Sequence, residues 1–571
     1  TATVQLPNTP TPTSTATATN PPTDTSPPTS TATATATATP TNTATPTQTS
    51  TATNTPTNTP TSTPTNTPTN TPSPTPSPTP LVSPTAESTP SPTPTTGSSL
   101  PVVNVPTTIS VNTTWAAGSV YLISGETTLN TGVTLNIEAG AIIKFQNNGS
   151  VKGKLNVNGL LLAQGTVGSS VVFTSIHDDS FGGDTNQNGG ATTPKASDWS
   201  NITMSSASTG SVFDHVLIQY GGGLNANLVV NSASVNLTNS IIQWSNLDGL
   251  QWNNGASGTI SANNILNNLR YGLSLSSSSL PTVINNLIAH SRSYAVYMSG
   301  NSPAAFSDNM SYGNGYNGIG VYGTLAGGTW YGNLPYLSTQ DLILESGSTL
   351  ILEPGTVVKL STNHDFINRG ALVASGTMTE TVVFTSLKDD VYGGDTQQDG
   401  AATKPNPADW GTLYFADTAN DTTSILDHVI IRYGGAAYNY GTGSSYANLT
   451  LDSASPTIQN SNFERSNQYG VQLINVSSPV FQGNVLVDNL GDGLWLSASS
   501  APQVLDNEFV RNGGHAVYVS GSSQAVFGGS TAAGNRVNGI GMAGTLNADT
   551  TWEYDLPYVV VGNLTLALNT Q

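Results

Sequence analysis

Asn263-Asn-Ile-Leu-Asn-Asn-Leu-Arg-Tyr-Gly-Leu-Ser-Leu275 is followed, after a Ser/Pro stretch, by Asn286-Leu-Ile-Ala-His-Ser-Arg-Ser-Tyr-Ala-Val-Tyr-Met298. Each segment sets Asn before a short aliphatic run, then a polar turn, then a second run in which apolar and polar residues alternate. Alternation of period two reads as a strand with one buried face, and no 3.6-residue stripe of helix length is present. The same marks extend outward: Asn239-Ser240, Asn263-Asn264, Asn285-Asn286 and Asp308-Asn309 recur every 22 to 24 residues. Asn460-Ser461, Gly483-Asn484 and Asp506-Asn507 recur every 23.

A coil of about 23 residues holding two or three short strands and polar turns is the unit of a right-handed parallel β-helix, whose stacked coils bury aliphatic ladders and align Asn at the turns. A longer duplication of about 220 residues lies over this period. Thr134-Leu-Asn-Ile-Glu-Ala-Gly-Ala-Ile-Ile-Lys144 matches Thr349-Leu-Ile-Leu-Glu-Pro-Gly-Thr-Val-Val-Lys359, and Asp214-His215-Val-Leu-Ile-Gln-Tyr220 matches Asp427-His428-Val-Ile-Ile-Arg-Tyr433. Trp115, Trp330 and Trp552 mark two full repeats and the start of a third. The expected organisation is a Thr/Pro-rich stalk over 1–98, β-helix repeats over 99–328 and 329–550, and a third beginning over 551–571. The expected class is all-β: a right-handed parallel β-helix preceded by an extended, polyproline-like segment.

On these repeats the chain resembles the pectate-lyase-like parallel β-helix superfamily, and more closely the bacterial surface proteins that join such repeats to Thr/Pro tracts. The resemblance covers about residues 100 to 571. It implies the fold and leaves activity open, because that fold carries lyases, hydrolases, adhesins and passive fibres alike.

From Thr29 to Thr71 every odd-numbered residue is threonine, with Ala, Asn, Pro, Ser or Gln between, and Pro56, Pro60, Pro64, Pro68, Pro72, Pro76 and Pro80 fall every fourth residue. With almost nothing apolar to bury, the segment cannot offset its ordering entropy with a core. Proline fixes φ and removes amide donors, so the local preference is polyproline II at about 3.1 Å per residue. Thr/Ser with Pro is the composition of O-glycosylated stalks. The expected acceptors are Thr31, Thr33, Thr35, Thr51, Thr53, Thr55, Thr57, Thr59, Thr61, Thr63, Thr65, Thr67, Thr69 and Thr71, carrying covalent O-linked glycans.

The chain carries 33 acidic residues against 14 Lys and Arg, a formal charge of −19, and only Asp24 and Glu87 are acidic before Leu100. Nucleic acid and anionic membranes are bound through Lys and Arg that displace counterions, so neither is an expected partner. Calcium or a neutral glycan suits such a surface better. Zero cysteines exclude disulfides, thiolate metal sites and thiol chemistry. No run of 18 apolar residues spans a membrane. The chain opens at Thr1 without Met or signal-peptide regions and reads as a mature or fragmentary product of an extracellular, cell-surface protein.

The best local constellation follows Phe173: Asp178-Asp179-Ser-Phe-Gly-Gly-Asp184-Thr-Asn186-Gln-Asn188-Gly, then Asp198. Its copy is Asp389-Asp390-Val-Tyr-Gly-Gly-Asp395-Thr-Gln397-Gln-Asp399-Gly, then Asp409. Asp-x-Asn-x-Asn-Gly is the opening half of an EF-hand-like loop, where alternate oxygen side chains converge on one cation and Gly permits the turn. Position 12 is Lys195 or Asn406, so the bidentate Glu is missing, and Asp198 and Asp409 or the upstream pairs would replace it. Calcium is the cofactor these loops would take, and a solvated Asp/Gly turn is the plainer alternative.

Glycoside hydrolysis needs paired carboxylates, and lyase chemistry needs a basic residue. The acid pairs Asp178/Asp179 and Asp389/Asp390 occur in both repeats, as a structural turn would, and the arginines are scattered. The chain therefore reads as a non-enzyme, an extracellular structural or adhesive fibre protein. The alternatives are a polysaccharide-active lyase or hydrolase and a non-catalytic glycan-binding module. His215 and His428 read as turn residues. Tyr220, Trp244, Trp252, Tyr271, Tyr294, Tyr297, Tyr312 and Tyr322 are candidates for a sugar-stacking platform or, alternatively, internal stacks. The partners expected are carbohydrate or neighbouring subunits, the latter because Tyr558 to Leu568 is an apolar, alternating strand.

Overall fold

Alternating side chains need two environments, and coiling supplies them: one set points into a continuous interior and the other points outward. The computed structural model describes residues 99–571 apart from Ser150, Thr442, Ala548, Glu553, Tyr554, Asn569 and Gln571. The threonines expected to carry glycans lie outside the described residues. From Val102 onward the chain winds through short strands, about three per coil, each pairing in parallel with its equivalent one coil later. The solenoid has about 20 turns of about 23 residues. Register runs through the quoted core, Leu250↔Leu273, Leu273↔Val296 and Val296↔Ile319, with one shift between Tyr294 and Val296 in the last pairing. These residues are fully buried, as are Ile242, Ile265 and Ile288 on the neighbouring face.

The Asn marks do what their spacing predicts. Asn263, Asn286 and Asn309 each accept the backbone N–H of the residue one coil earlier, and Asn263 Nδ2 donates to Asn286 Oδ1 at 3.0 Å. In the second repeat Asn484 and Asn507 continue the same pattern, and Asn489, Asn512 and Asn535 form a second amide ladder at the next turn. The residue before many ladder positions takes positive φ, among them Asn239 (50°), Asn285 (54°) and Asp308 (54°). Short polar side chains tolerate this left-handed turn best. His215 (48°) and His428 (52°) occupy such turns, each ring bonded to the preceding aspartate, which accounts for the repeated Asp-His.

The duplication is not carried along one face. Val171–Ser175 belongs to a nine-stranded sheet with Ile142–Phe145 and Val216–Gln219. Its copy, Val382–Ser386, lies instead in the 17-stranded sheet that runs from Thr108–Ile109 to Thr531–Ala533. The second repeat is thus advanced by one sheet, and the two aspartate loops leave the solenoid at successive corners. Unlike the first repeat, the second has a long connection at 434–446, carrying the antiparallel hairpin Tyr438–Asn439 with Ser444–Ser445.

Candidate functional site

The aspartate loops divide into pins and an outer cluster. Asp178 is buried, accepting from Thr174 Oγ1 (2.6 Å), Gln219 Nε2 (2.9 Å) and Ser180. Asp198 accepts from Ser175 Oγ (2.7 Å), Asn147 and the Lys195 N–H, beside His177. Their copies Asp389 and Asp409 repeat these bonds with Thr385 and Ser386, and Lys388 stands 2.7 Å from Asp409 in place of His177. These four aspartates tie the loop to the solenoid. Asp184 and Asp395 cap their own turns through the N–H groups of residues 188 and 189, and of 399 and 400. In the second loop Asp390, Asp395 and Asp399 bring carboxylate oxygens within 4.8 Å of one another, the arrangement of hard oxygens a calcium ion takes. The first loop has Asp179, Asp184 and Asn188 at the matching positions, and both Asn186 and Asn188 donate their amides to Thr192.

Beneath each loop lies a group that motif reading passed over. Lys144 and Lys359 are fully buried, and their Nζ atoms donate to the carbonyls of Gly183 (2.9 Å) and Gly394 (2.5 Å). Burial pushes both ammonium groups down to about 8, with the loop aspartates opposing. A lysine beneath each loop offsets part of its negative charge from inside. The signal was present in the duplicated Ala-Ile-Ile-Lys144 and Thr-Val-Val-Lys359, where a lysine occupies a strand otherwise aliphatic.

The expected sugar platform is largely consumed by its own stacking. Tyr271 lies on Tyr297 at 4.3 Å, Tyr297 on Tyr322 at 4.6 Å and Tyr294 on Tyr316 at 4.6 Å, all within 14° of parallel. Arg270, ion-paired with buried Asp248, covers Tyr271. Rings stacked along consecutive coils show solvent their edges, whereas a pyranose needs a face. Trp252 is buried, Tyr312 packs edge-on to His290, and Tyr220 and Trp244 sit at positive-φ turns. The second repeat has a matching stack, Tyr469, Trp495 and Tyr518.

The single-copy chemistry lies under the second repeat's hairpin. In the first repeat Glu126 pairs in register with Lys154, their charges 3.9 Å apart. The matching positions hold Asp341 and Asp365, immediately before the paired strands Leu342–Leu344 and Phe366–Asn368. Two carboxylates have replaced an ion pair. The Asp365 N–H donates to Asp341 Oδ1 at 3.0 Å, and Asp365 Oδ1 accepts the Thr412 N–H at 2.9 Å. Gly411, which stands where the first repeat has Ser200, leaves the space: a Cβ there would lie 1.7 Å from Asp365 Oδ1. Asp365 is only 8% exposed, and burial, with the nearby Asp341 charge adding and the Thr412 N–H opposing, pushes its carboxyl up to about 7.

Aromatic rings line the same place. Tyr414 is buried under Tyr438 and Tyr440 of the hairpin connection, 4.8 and 6.2 Å between centroids, and its hydroxyl donates to Asp452. Burial raises the Tyr438 hydroxyl; the charges of Asp365, Asp341 and Asp452 reinforce the shift and Arg369 opposes it. Tyr438 therefore lies within electrostatic reach of all three carboxylates. His364, bonded to Ser338 at 2.9 Å, adjoins them and is held below the usual imidazole range by burial. None of these residues was singled out from sequence. Comparing the repeats position by position would have found them, since Glu126/Lys154 against Asp341/Asp365 and Ser200 against Gly411 are changes of chemistry in a shared frame.

Residues 196–334 and 420–551 match the family model described as right handed beta helix region. No curated protein sequence matches the chain. Among solved structures it is similar to the periplasmic alginate epimerase AlgG, at 9% identity over 82% of this chain and 84% of that one, with a TM-score of 0.16. It is also similar to tailspike protein 3 of bacteriophage CBA120 (9% identity, 76% and 55% covered, TM-score 0.16). A third is the catalytic domain of a GH87 alpha-1,3-glucanase in complex with nigerose (11% identity, 77% and 64%, TM-score 0.16). The expectation that the chain is not an enzyme is overturned here, since an epimerase and a glucanase catalytic domain stand among the structures it resembles. At such identities and TM-scores the likeness carries no chemistry over, which has to come from this chain's own residues. Among the described residues no helix is long and apolar enough to cross a membrane. With its coils, amide ladders and parallel register, the chain is a right-handed parallel β-helix protein.

Proposed function

We propose that the chain is an extracellular polysaccharide-active protein that hydrolyses a neutral glycan at the hairpin-covered site of its second repeat. One observation carries the reading: at matched positions the first repeat keeps the ion pair Glu126–Lys154, whereas the second places Asp341 and Asp365 together and opens Gly411 to admit them. A solenoid needing only stability at that corner gains nothing from two adjacent carboxylates, which repel. Hydrolysis of a glycosidic bond needs two.

Tyr438 and Tyr440 are half-exposed and free of the coil-on-coil stacking of the aromatic ladders, so they can offer ring area to a sugar. The charge of −19 selects a neutral chain over a polyuronate, which the surface would repel. The Thr/Pro tract suits a spacer outside the cell. Incubation with neutral, uronate and amino-sugar polysaccharides, read by new reducing ends, tests the proposal. Release from a neutral glycan is expected. Binding without release, or cleavage confined to uronates with formation of unsaturated ends, would overturn it.

A further inference from the structure

At the junction between the repeats, two polar hollows of about 330 and 400 Å³ adjoin at Ser348 and form one groove. Both volumes fall in the range of small-ligand sites, about 300–1,000 Å³. The first repeat shows what opened it. There Val133 and Leu160 stand where the second repeat has Ser348 and Ala371, and one backbone bond fixes the correspondence: the Leu160 N–H donates to the Val133 carbonyl as the Ala371 N–H does to Ser348. Leu160 fills the corner, since a Cβ on Gly210 one coil later would lie 3.7 Å from its Cδ1. Ala371 stops short of that space. The connection facing it is also longer: from the equivalent turn residues Ser208 and Ala419, three steps lead to Ser211, which bonds Leu161, but five lead to Ser424, which bonds Leu372. Asn420 of the longer connection lines the hollow with Ala371. Two aliphatic side chains have given way to a hydroxyl and to space.

The lining selects the ligand. Asn420 Oδ1 accepts from Thr422 Oγ1 and the Thr423 N–H, and Asn301 Oδ1 accepts from Ser299 Oγ and the Ser278 N–H. Each hollow therefore holds one amide fixed by its oxygen, with its NH₂ uncommitted. Among the described residues the hydroxyls of Ser346, Ser348, Thr349 and Thr418 and the Glu345 carboxylate have no hydrogen-bond partner within the protein. Neither hollow is lined by Lys or Arg among the described residues, so an anion would meet Glu345 unopposed. One carboxylate is a poor start for calcium, which gathers about 6–8 oxygens. Ala326 and Ala371 give a peptide no large apolar anchor. What remains is a neutral polyol, whose hydroxyls both donate and accept. We infer that the junction groove is a second glycan site, one that holds a neutral oligosaccharide without cleaving it, because hydrolysis needs two carboxyl groups and the groove has one. The inference stands apart from the hydrolytic reading. Glu345 and Asp341 flank Leu342–Leu344 at opposite ends, about 13 Å apart at about 3.3 Å per residue.

The test uses the full chain, titrated calorimetrically with cellohexaose, maltohexaose, laminarihexaose and mannohexaose, and with hexagalacturonate as the charged control. Saturable binding of at least one neutral hexaose is expected, and none of the uronate. Amide hydrogen exchange on the wild-type complex is expected to slow in peptides covering 345–349 and 418–423, a readout that needs no variant. Ala371→Leu with Ser348→Val restores the first repeat's residues and is expected to weaken binding at least about tenfold, the loss of a few hydrogen bonds. Glu345→Ala with Thr418→Ala, both exposed and outside the core, is expected to weaken it about three- to tenfold even where the first pair disturbs folding. No binding of any neutral hexaose, slowed exchange confined to the hairpin at 434–446, or an affinity that both pairs of substitutions leave unchanged would overturn the groove, whether or not the protein cleaves polysaccharide. Slowed exchange at the groove in a protein that cleaves nothing would sustain it and overturn the hydrolytic reading alone.

Discussion

Arg432→Gln is the substitution whose cost the repeat itself calibrates. In the first repeat Gln219 lies in register with Gln243, which donates to it at 2.8 Å, and Gln219 donates to Asp178 at 2.9 Å. In the second repeat the same three places hold Arg432, Glu464 and Asp389: Arg432 is 5% exposed, 3.3 Å from Glu464 and 3.6 Å from Asp389. Removing the guanidinium alone leaves Asp389 the glutamine amide, as in the first repeat, but leaves Glu464 with only Arg465 at 3.8 Å, a loss of about 1–3 kcal/mol for a poorly hydrated carboxylate deprived of its main partner. Adding Glu464→Gln rebuilds the Gln–Gln rung of the first repeat, and replacing a whole buried pair by a matched neutral one is close to neutral. The double variant should therefore return to within about 1 kcal/mol of wild type. Trp410, whose Nε1 donates to the Arg432 carbonyl at 2.8 Å, places a fluorophore beside the change, so urea unfolding followed by tryptophan emission is the assay. A single variant as stable as wild type, or a double variant as unstable as the sum of both singles, would refute the reasoning.

Gly411→Ser, which installs the first repeat's residue, should displace the Asp365 carboxylate and abolish cleavage while the far-UV circular dichroism stays that of a β-helix; unchanged turnover would count against the site. Stability should rise from about pH 8 toward pH 10, because Lys144 and Lys359 lose their protons in the folded chain near 8 but only near 10.5 when unfolded. Above about pH 10 the trend should reverse, since Tyr336 and Tyr414 are held protonated in the fold while their unfolded hydroxyls ionise; melting curves across pH 7 to 11 check both limbs. Calcium should raise the melting temperature through the second loop, and Asp399→Asn, the first loop's composition, should remove most of that gain; equal curves with and without chelator would leave both loops as turns. Chemical deglycosylation should lower the intact mass toward 58.8 kDa if the alternate threonines from Thr31 to Thr71 carry sugars, and an unshifted mass would reject them as acceptors.

The solenoid was legible in the sequence because its determinants are periodic and local. Asn263, Asn286 and Asn309 satisfy one another's coils, so their spacing is the coil length. Alternating Leu273-Ser-Leu275 and Val296-Tyr-Met298 state which side chains enter the core. The one-sheet advance of the second repeat was not legible, since it depends on which strand Tyr336–Ser338 joins after the repeat junction, a tertiary choice between equivalent parallel edges. The aromatic ladder was visible as composition, but whether a ring shows its face or its edge depends on the neighbouring coil. The conspicuous aspartates, Asp178, Asp198, Asp389 and Asp409, proved to be loop pins, whereas Asp365 stood alone in Asn363-His-Asp-Phe-Ile and matched no motif. Its environment is assembled by Asp341 one coil before, Thr412 one coil after and a hairpin further on, and no local window contains them.

The most direct measurement grafts the first repeat's ion pair onto the second. Asp341→Glu with Asp365→Lys reproduces Glu126 and Lys154 in a frame already known to accept them, although Gly411 and the hairpin remain. Wild-type protein is expected to release reducing ends from a neutral polysaccharide, and the graft, with an unchanged β-sheet spectrum, to release none. Equal release by both proteins would contradict the claim that these two carboxylates carry the chemistry.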